Sequence, residues 1–172
     1  MKRLLVVGIL FLASSLVFGQ YKAGKNTGGV FLGIGGGGLS GTGGIPIGLE
    51  YNFYNYGKNI QAGAFAAYAS TSEDFGIGEW KYTNIIFGVQ ANYHIWPGKQ
   101  IDPFGGISIG YDIASSSAEY KAGYNSYSGS ASSGGVVFSG QLGLNYWFNP
   151  KTAATIRVGY FPYVSAGITL GM

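Results

Sequence analysis

Residues 84–96 read NIIFGVQANYHIW, and their alternation decides the fold. Ile85, Phe87, Val89, Ala91, Tyr93 and Ile95 fall on one side of an extended chain; Asn84, Gly88, Gln90, Asn92 and His94 fall on the other. Successive side chains of a strand point to opposite faces, so large apolar residues held in one phase mark a two-faced strand. A helix would need apolar residues every three to four positions, and no stretch of useful length has them.

The period of two recurs in both directions. Upstream, Val30, Leu32 and Ile34 oppose Phe31, Gly33 and Gly35. Next, Ile45, Ile47, Leu49, Tyr51 and Phe53 oppose Gly44, Pro46, Gly48, Glu50 and Asn52. Then Ile60, Ala62, Ala64, Ala66 and Tyr68 oppose Gln61, Gly63, Phe65 and Ala67. Downstream, residues 107–113, 136–148, 154–160 and 164–172 behave alike, the last two runs ending near Tyr160 and at Met172. The count is eight strands, an even number, using nearly all of residues 20–172 and leaving no room for a second domain.

Composition narrows the class. Of 172 residues, 47% are hydrophobic and only 10% charged, with 32 glycines, 14 tyrosines and 11 phenylalanines. Disorder needs low hydrophobicity and high charge, the reverse of this chain. Residues 1–19 have the form of a secretory signal: Lys2 and Arg3, an apolar run, then small residues up to a cut before Gln20. Without those two cations, eight basic residues face seven acidic ones, so the basic pI implies no nucleic-acid partner. There is no cysteine, so disulfides do not hold the exported chain together, and neither a cysteine nucleophile nor a zinc site is expected. Gly33, Gly35 and Gly38 satisfy G-x-G-x-x-G, but LSGTGG follows rather than a helix, so no nucleotide site is implied.

The connections are unequal. NYGKN (55–59), WPGKQ (96–100) and FNPKT (148–152) are short turns, whereas STSEDFGIGE (70–79) and the Ser/Gly-rich segment 115–135 read as longer, solvated loops. Aromatic residues gather beside the short turns: Tyr51 and Phe53, Tyr93 and Trp96, Tyr146 and Phe148. Tyr68, Tyr111 and Tyr160 supply a sparser ring at the other ends. Short turns on one side, long loops on the other and aromatic girdles at both edges of an apolar band characterise outer-membrane barrels. The reading is an all-β, eight-stranded antiparallel up-and-down transmembrane barrel, its apolar faces outward and its small and polar faces inward.

This pattern resembles the small eight-stranded outer-membrane barrels, the OmpA-like and opacity-type family, from about residue 28 to 172. The resemblance implies a monomer in a bacterial outer membrane, contacting outer-membrane lipid and the barrel-insertion machinery, with a structural or surface-interaction role. Family members finish their last strand with an aromatic residue; Met172 departs from that rule. Some similar barrels modify lipid A with a His, a Ser and an acidic residue. Here His94 is the only histidine, placed near a short turn beside Asp102 and Asn52 with no partner Ser. A soluble lipocalin-like binder would also have eight strands, with the apolar faces inside.

Glu50 and Arg157 are the chief inward constellation. Each lies about five residues from a short turn, which sets them at one height with Asn92 and Asn145; Gln90 and Gln141 share the inward phase. An unpaired buried charge costs several kcal/mol, so a cross-lumen ion pair within a polar plug is expected, with a gated narrow channel as the alternative. No cofactor or metal is implied. The many inward glycines leave room for water, and Gly48→Ser, which faces the lumen, is expected to be much milder than arginine at the lipid-facing Leu49 or Val89. Tyr120, Tyr124 and Tyr127 with serines and glycines give segment 115–135 the composition of an adaptable binding loop for an unknown surface ligand.

Overall fold

Strands that are apolar on one face only, and too numerous for one flat sheet, can satisfy their backbones by closing on themselves. The computed structural model describes residues 24–35, 44–120, 129–159 and 162–172. Its strands are β1 (Thr27–Ile34), β2 (Ile47–Tyr56), β3 (Ile60–Asp74), β4 (Gly78–His94), β5 (Ile101–Tyr120), β6 (Ser130–Asn149), β7 (Thr152–Val158) and β8 (Val164–Gly171). Each pairs antiparallel with its chain neighbours, and β8 returns to β1 to close the barrel. The expected signal segment 1–19, the segments around Ser40 and Tyr124, and Tyr160 lie outside the described residues.

The register gives the geometry. Paired residues followed round the wall from Tyr146 run through Ala154, Ile168, Val30, Leu49, Ala66, Phe87 and Tyr111, and return to β6 at Val136. The path has climbed from 146 to 136, a stagger of ten residues. With eight strands, that stagger tilts them by about 40° and gives a backbone radius of about 8 Å.

Burial settles which face is inside. Val30, Leu32, Leu49, Val89, Ile107, Phe138 and Ile156 are each more than half exposed, while Glu50, Asn52, Gln61, Gln90, Asn92, Asn145 and Thr155 are buried. A wall this apolar far exceeds the few hundred Å² that soluble monomers usually expose in one patch. It suits hydrocarbon, where a closed ladder also satisfies every backbone group. The lipocalin arrangement, with the apolar face inside, is not the one adopted.

Three local readings are corrected. The segment 115–135 is not a loop through most of its length: Ser115 pairs with Ser132 and Ser117 with Ser130, extending β5 and β6 to 20 residues each. Likewise 70–79 is mostly paired strand, with Asp74 opposite Glu79. Serine and glycine hid these extensions, because the apolar alternation that betrays a strand stops where the wall leaves the apolar band. The third correction is a bulge in β2 at Phe53, between Asn52 and Tyr54. It breaks the alternation, so Tyr54 and Tyr56 join Tyr51 and Phe53 on the outer surface.

The aromatic residues near the short turns do face outward. Tyr51, Phe53, Tyr93, Trp96 and Tyr146 are exposed, and Phe148, at a second bulge, is half-buried. The Tyr51 and Phe53 rings lie 6.1 Å apart, and Tyr146 meets Phe148 edge-on at 5.3 Å. At the opposite edge Tyr68 and Tyr111 are exposed.

Candidate functional site: the barrel interior

The stagger of ten residues over eight strands means that a level line drifts from the paired rows by just over one residue per strand. On such a line Glu50 of β2, Gln90 of β4, Gln141 of β6 and Arg157 of β7 reach one height. Their side chains meet there. Arg157 Nη1 lies 2.9 Å from Glu50 Oε2, both side chains about nine-tenths buried. Gln90 Nε2 donates to Glu50 Oε2 at 2.9 Å and to Asn52 Oδ1 at 3.0 Å. Gln141 Nε2 donates to Asn92 Oδ1 at 2.6 Å, and Arg157 Nη1 reaches Gln141 Oε1 at 3.4 Å. Two opposite charges taken from water thus share one amide-lined ring, which offsets their desolvation.

Asn145 stands apart from this ring. It accepts from Thr155 Oγ1 at 2.7 Å, and Thr155 in turn contacts Thr169 at 2.7 Å, forming a separate lower cluster. Another chain, which sequence reading missed, links Asn52 Nδ2 to Thr27 Oγ1 at 3.0 Å and Gln61 Nε2 to Asn55 Oδ1 at 3.0 Å. Thr27 and Gln61 sit in the inward phase of their strands, so strand phase alone would have found them.

At the short-turn end His94 Nδ1 lies 2.7 Å from Asp102 Oδ2, and the His94 ring packs 5.4 Å from Phe104. Asn52 is not its neighbour; that amide belongs to the Gln90 ring. Among the described residues no hydroxyl bonds the His94 ring. Buried Trp147 and Ala153 pack together at the same end.

The interior is also less polar than its sequence phase suggested. Phe31, Ala67 and Ile86 form a buried apolar layer with Phe65 and Val137 against it. Ile86 breaks the inward polar phase of β4, and the alternation around it concealed its burial. Phe31 and Phe65 fall at the level of the ion pair, and the Arg157 guanidinium lies 5.0 Å from the Phe31 ring centre, within cation–π range. The Phe31 ring fills the space over Gly48, and the Phe104 ring the space over Gly143. At Gly48 and Gly143 the inward glycine thus makes room for a ring, whereas Gly63 and Gly88 meet backbone and Gly106 meets the Asn92 amide, so a side chain at Gly48 would be crowded.

The arrangement holds opposite charges together across the barrel interior at the level of Glu50 and Arg157. No group of three or more metal-binding side chains occurs among the described residues.

No protein-family model matches the sequence, and no curated protein is significantly similar to it. The structure is similar to that of Neisserial surface protein A (NspA), over 87% of this chain and 98% of that one, with a TM-score of 0.58 and 12% identity. It is also similar to the N-terminal β-barrel domain of Pseudomonas aeruginosa OprF, over 88% of this chain and 100% of that domain, with a TM-score of 0.56 and 12% identity. Likeness at this identity is likeness of fold.

Proposed function

We propose that this chain, which has the fold of the small eight-stranded outer-membrane barrels, is an integral protein of a bacterial outer membrane with a structural or surface-interaction role. Residues 1–19 serve as its export signal, the barrel-insertion machinery places it, and it works as a monomer without cofactor, metal or catalysis. The short turns face the periplasm, and the long ends of β3–β6, including segment 115–135, face the cell exterior, where a surface ligand would meet them.

The observation that carries this reading is the filled bore. Glu50, Arg157, Gln90 and Gln141 bond to one another across it, and Phe31, Phe65 and Ile86 occupy the space beside and above them. An eight-stranded barrel is just wide enough for its side chains to fill. Planar-bilayer recording tests the reading: the wild type should insert without conductance steps. Sustained steps would instead support a narrow channel gated by the Glu50–Arg157 pair. That alternative has one observation in its favour: a single guanidinium contact with Glu50 joins β7 to β2 across the bore.

A further inference from the structure

We infer that the inner face of the long strands, above the filled bore, carries a binding site for one unit of a neutral saccharide; this rests on the reading that the long ends of β3–β6 face the cell exterior. The starting point is Asn84. Its side chain is 1% exposed, and neither Nδ2 nor Oδ1 has a hydrogen-bond partner among the described residues. Buried amides are nearly always paired, because stripping one of water without replacing its bonds is costly. The fold itself asks for no amide there: the adjoining inward residues, Ala69, Ala114 and Ile86, are apolar.

Asn84 borders a cavity of about 240 Å³, together with Tyr82, Ala114, Ser116, Ala131 and Ser133 of the inner face. The register explains the hollow. Asn84, Ala114 and Ser133 form one paired row, and Tyr82, Ser116 and Ala131 form the next inward-facing row above it. Asn84 and Ser133 thus stand two strands apart, about 10 Å, with only a methyl group between them. Beyond these rows the Phe75 ring lies 6.1 Å from Trp80 and 5.7 Å from Tyr120, so the far end of the face is aromatic. Hydroxyls occur on both faces of these strands, but the unpaired amide and the hollow mark the inner one.

The lining selects the ligand. A cavity of this size falls below the ~300–1,000 Å³ of drug-sized sites, so it admits one small unit. No lining side chain is charged. Inward carboxylates stand outside it, Asp112 in the row below and Glu73 beside Trp80. An ionic ligand would find no counter-charge, and an acyl chain would leave the amide unpaired. A carboxamide presents an acceptor and donors side by side, which matches two adjacent hydroxyls, each both donor and acceptor; Ser116 and Ser133 add further hydroxyls. Tyr82 is partly exposed, so its ring can turn aside to uncover the amide and then lie against the apolar face of the sugar.

Saturation-transfer NMR on the protein in phosphocholine micelles, which carry no sugar, tests this with methyl α-glucoside, methyl α-galactoside and methyl α-mannoside. At least one should receive saturation from the wild type. Asn84→Leu, which keeps the volume, should weaken that binding by about tenfold or more. Its urea midpoint should equal or exceed that of the wild type, because the amide bonds nothing in the fold. Ser116→Ala with Ser133→Ala should weaken binding several-fold, and Ser117→Ala with Ser130→Ala, on the outer face, should leave it unchanged. No transfer to any of these glycosides, undiminished binding by Asn84→Leu, or tighter binding of methyl glucuronide than of methyl glucoside would overturn the inference. A lower urea midpoint for Asn84→Leu would overturn it too, since the amide would then be holding the barrel together. The chain has no cysteine, so Ser133→Cys, treated on intact cells with a membrane-impermeant maleimide, separates the failures. Labelling without sugar binding refutes the site and leaves the orientation standing; no labelling refutes the orientation on which the site rests.

Discussion

Phe31 on β1 stands opposite Gly48 on β2, and its ring occupies the volume that any side chain at position 48 would need. Gly167, opposite Phe31 on β8, is crowded by the same residue. Gly48 thus makes room for the Phe31 ring and Gly167 for the Phe31 Cα and Cβ, and the guanidinium of Arg157 lies against the ring. Because Arg157 also holds Glu50, the apolar and charged parts of the filling are mechanically joined.

Gly48→Ser should therefore destabilise the barrel by about 1–3 kcal/mol, the usual cost of overpacking a close-packed interior. Gly140→Ala, where an added methyl meets nothing, should be close to neutral. Urea unfolding of the protein folded into lipid vesicles would measure both. Equal midpoints would mean that the Phe31 ring moves aside freely.

The outer wall gives the opposite test. Arginine at Leu49 or Val89, both exposed within the apolar band, should cost about 2–4 kcal/mol. Arginine at Ser132, three outward positions above Phe138 on the same face, should cost about 0–1 kcal/mol. The same vesicle unfolding assay separates them.

The ion pair calls for a double-mutant cycle. Glu50→Gln leaves a buried guanidinium without its counter-ion, and Arg157→Gln leaves a buried carboxylate; each should cost about 3–5 kcal/mol. The double variant should recover part of that loss, with a coupling of about 1 kcal/mol or more. Additive losses would show that the two groups do not depend on each other.

The alternation of residues 84–96, repeated in the other seven runs and joined to the turn lengths and aromatic girdles, was enough to read strand number, topology and facing, because a half-polar strand repeats its pattern wherever one side meets hydrocarbon. The shared height of Glu50 and Arg157 was legible too, since distance from a short turn measures depth in an up-and-down barrel. What stayed hidden has physical reasons. Ile86 sits in a polar phase, and its burial follows from the rings around it rather than from its neighbours in sequence. Phe53 lies at a bulge, which breaks strand phase without any glycine or proline to announce it. The strand character of 115–120 and 130–135 was masked because, outside the apolar band, serine on both faces leaves no period to read. Gly48 looked like space, yet only the register shows that Phe31 lies over it.

The most direct test is of facing along β4. Nitroxide labels placed singly at positions 85–93, with the protein in bilayers, report collisions with oxygen, which concentrates in hydrocarbon, and with a water-soluble nickel complex. Labels at Ile85, Phe87, Val89, Ala91 and Tyr93 should show high oxygen and low nickel accessibility. Labels at Ile86, Gly88, Gln90 and Asn92 should show low accessibility to both, as a filled interior requires. High nickel accessibility at the odd positions would place the apolar face away from lipid and contradict the barrel's orientation; high nickel accessibility at the even ones would reveal a water-filled bore.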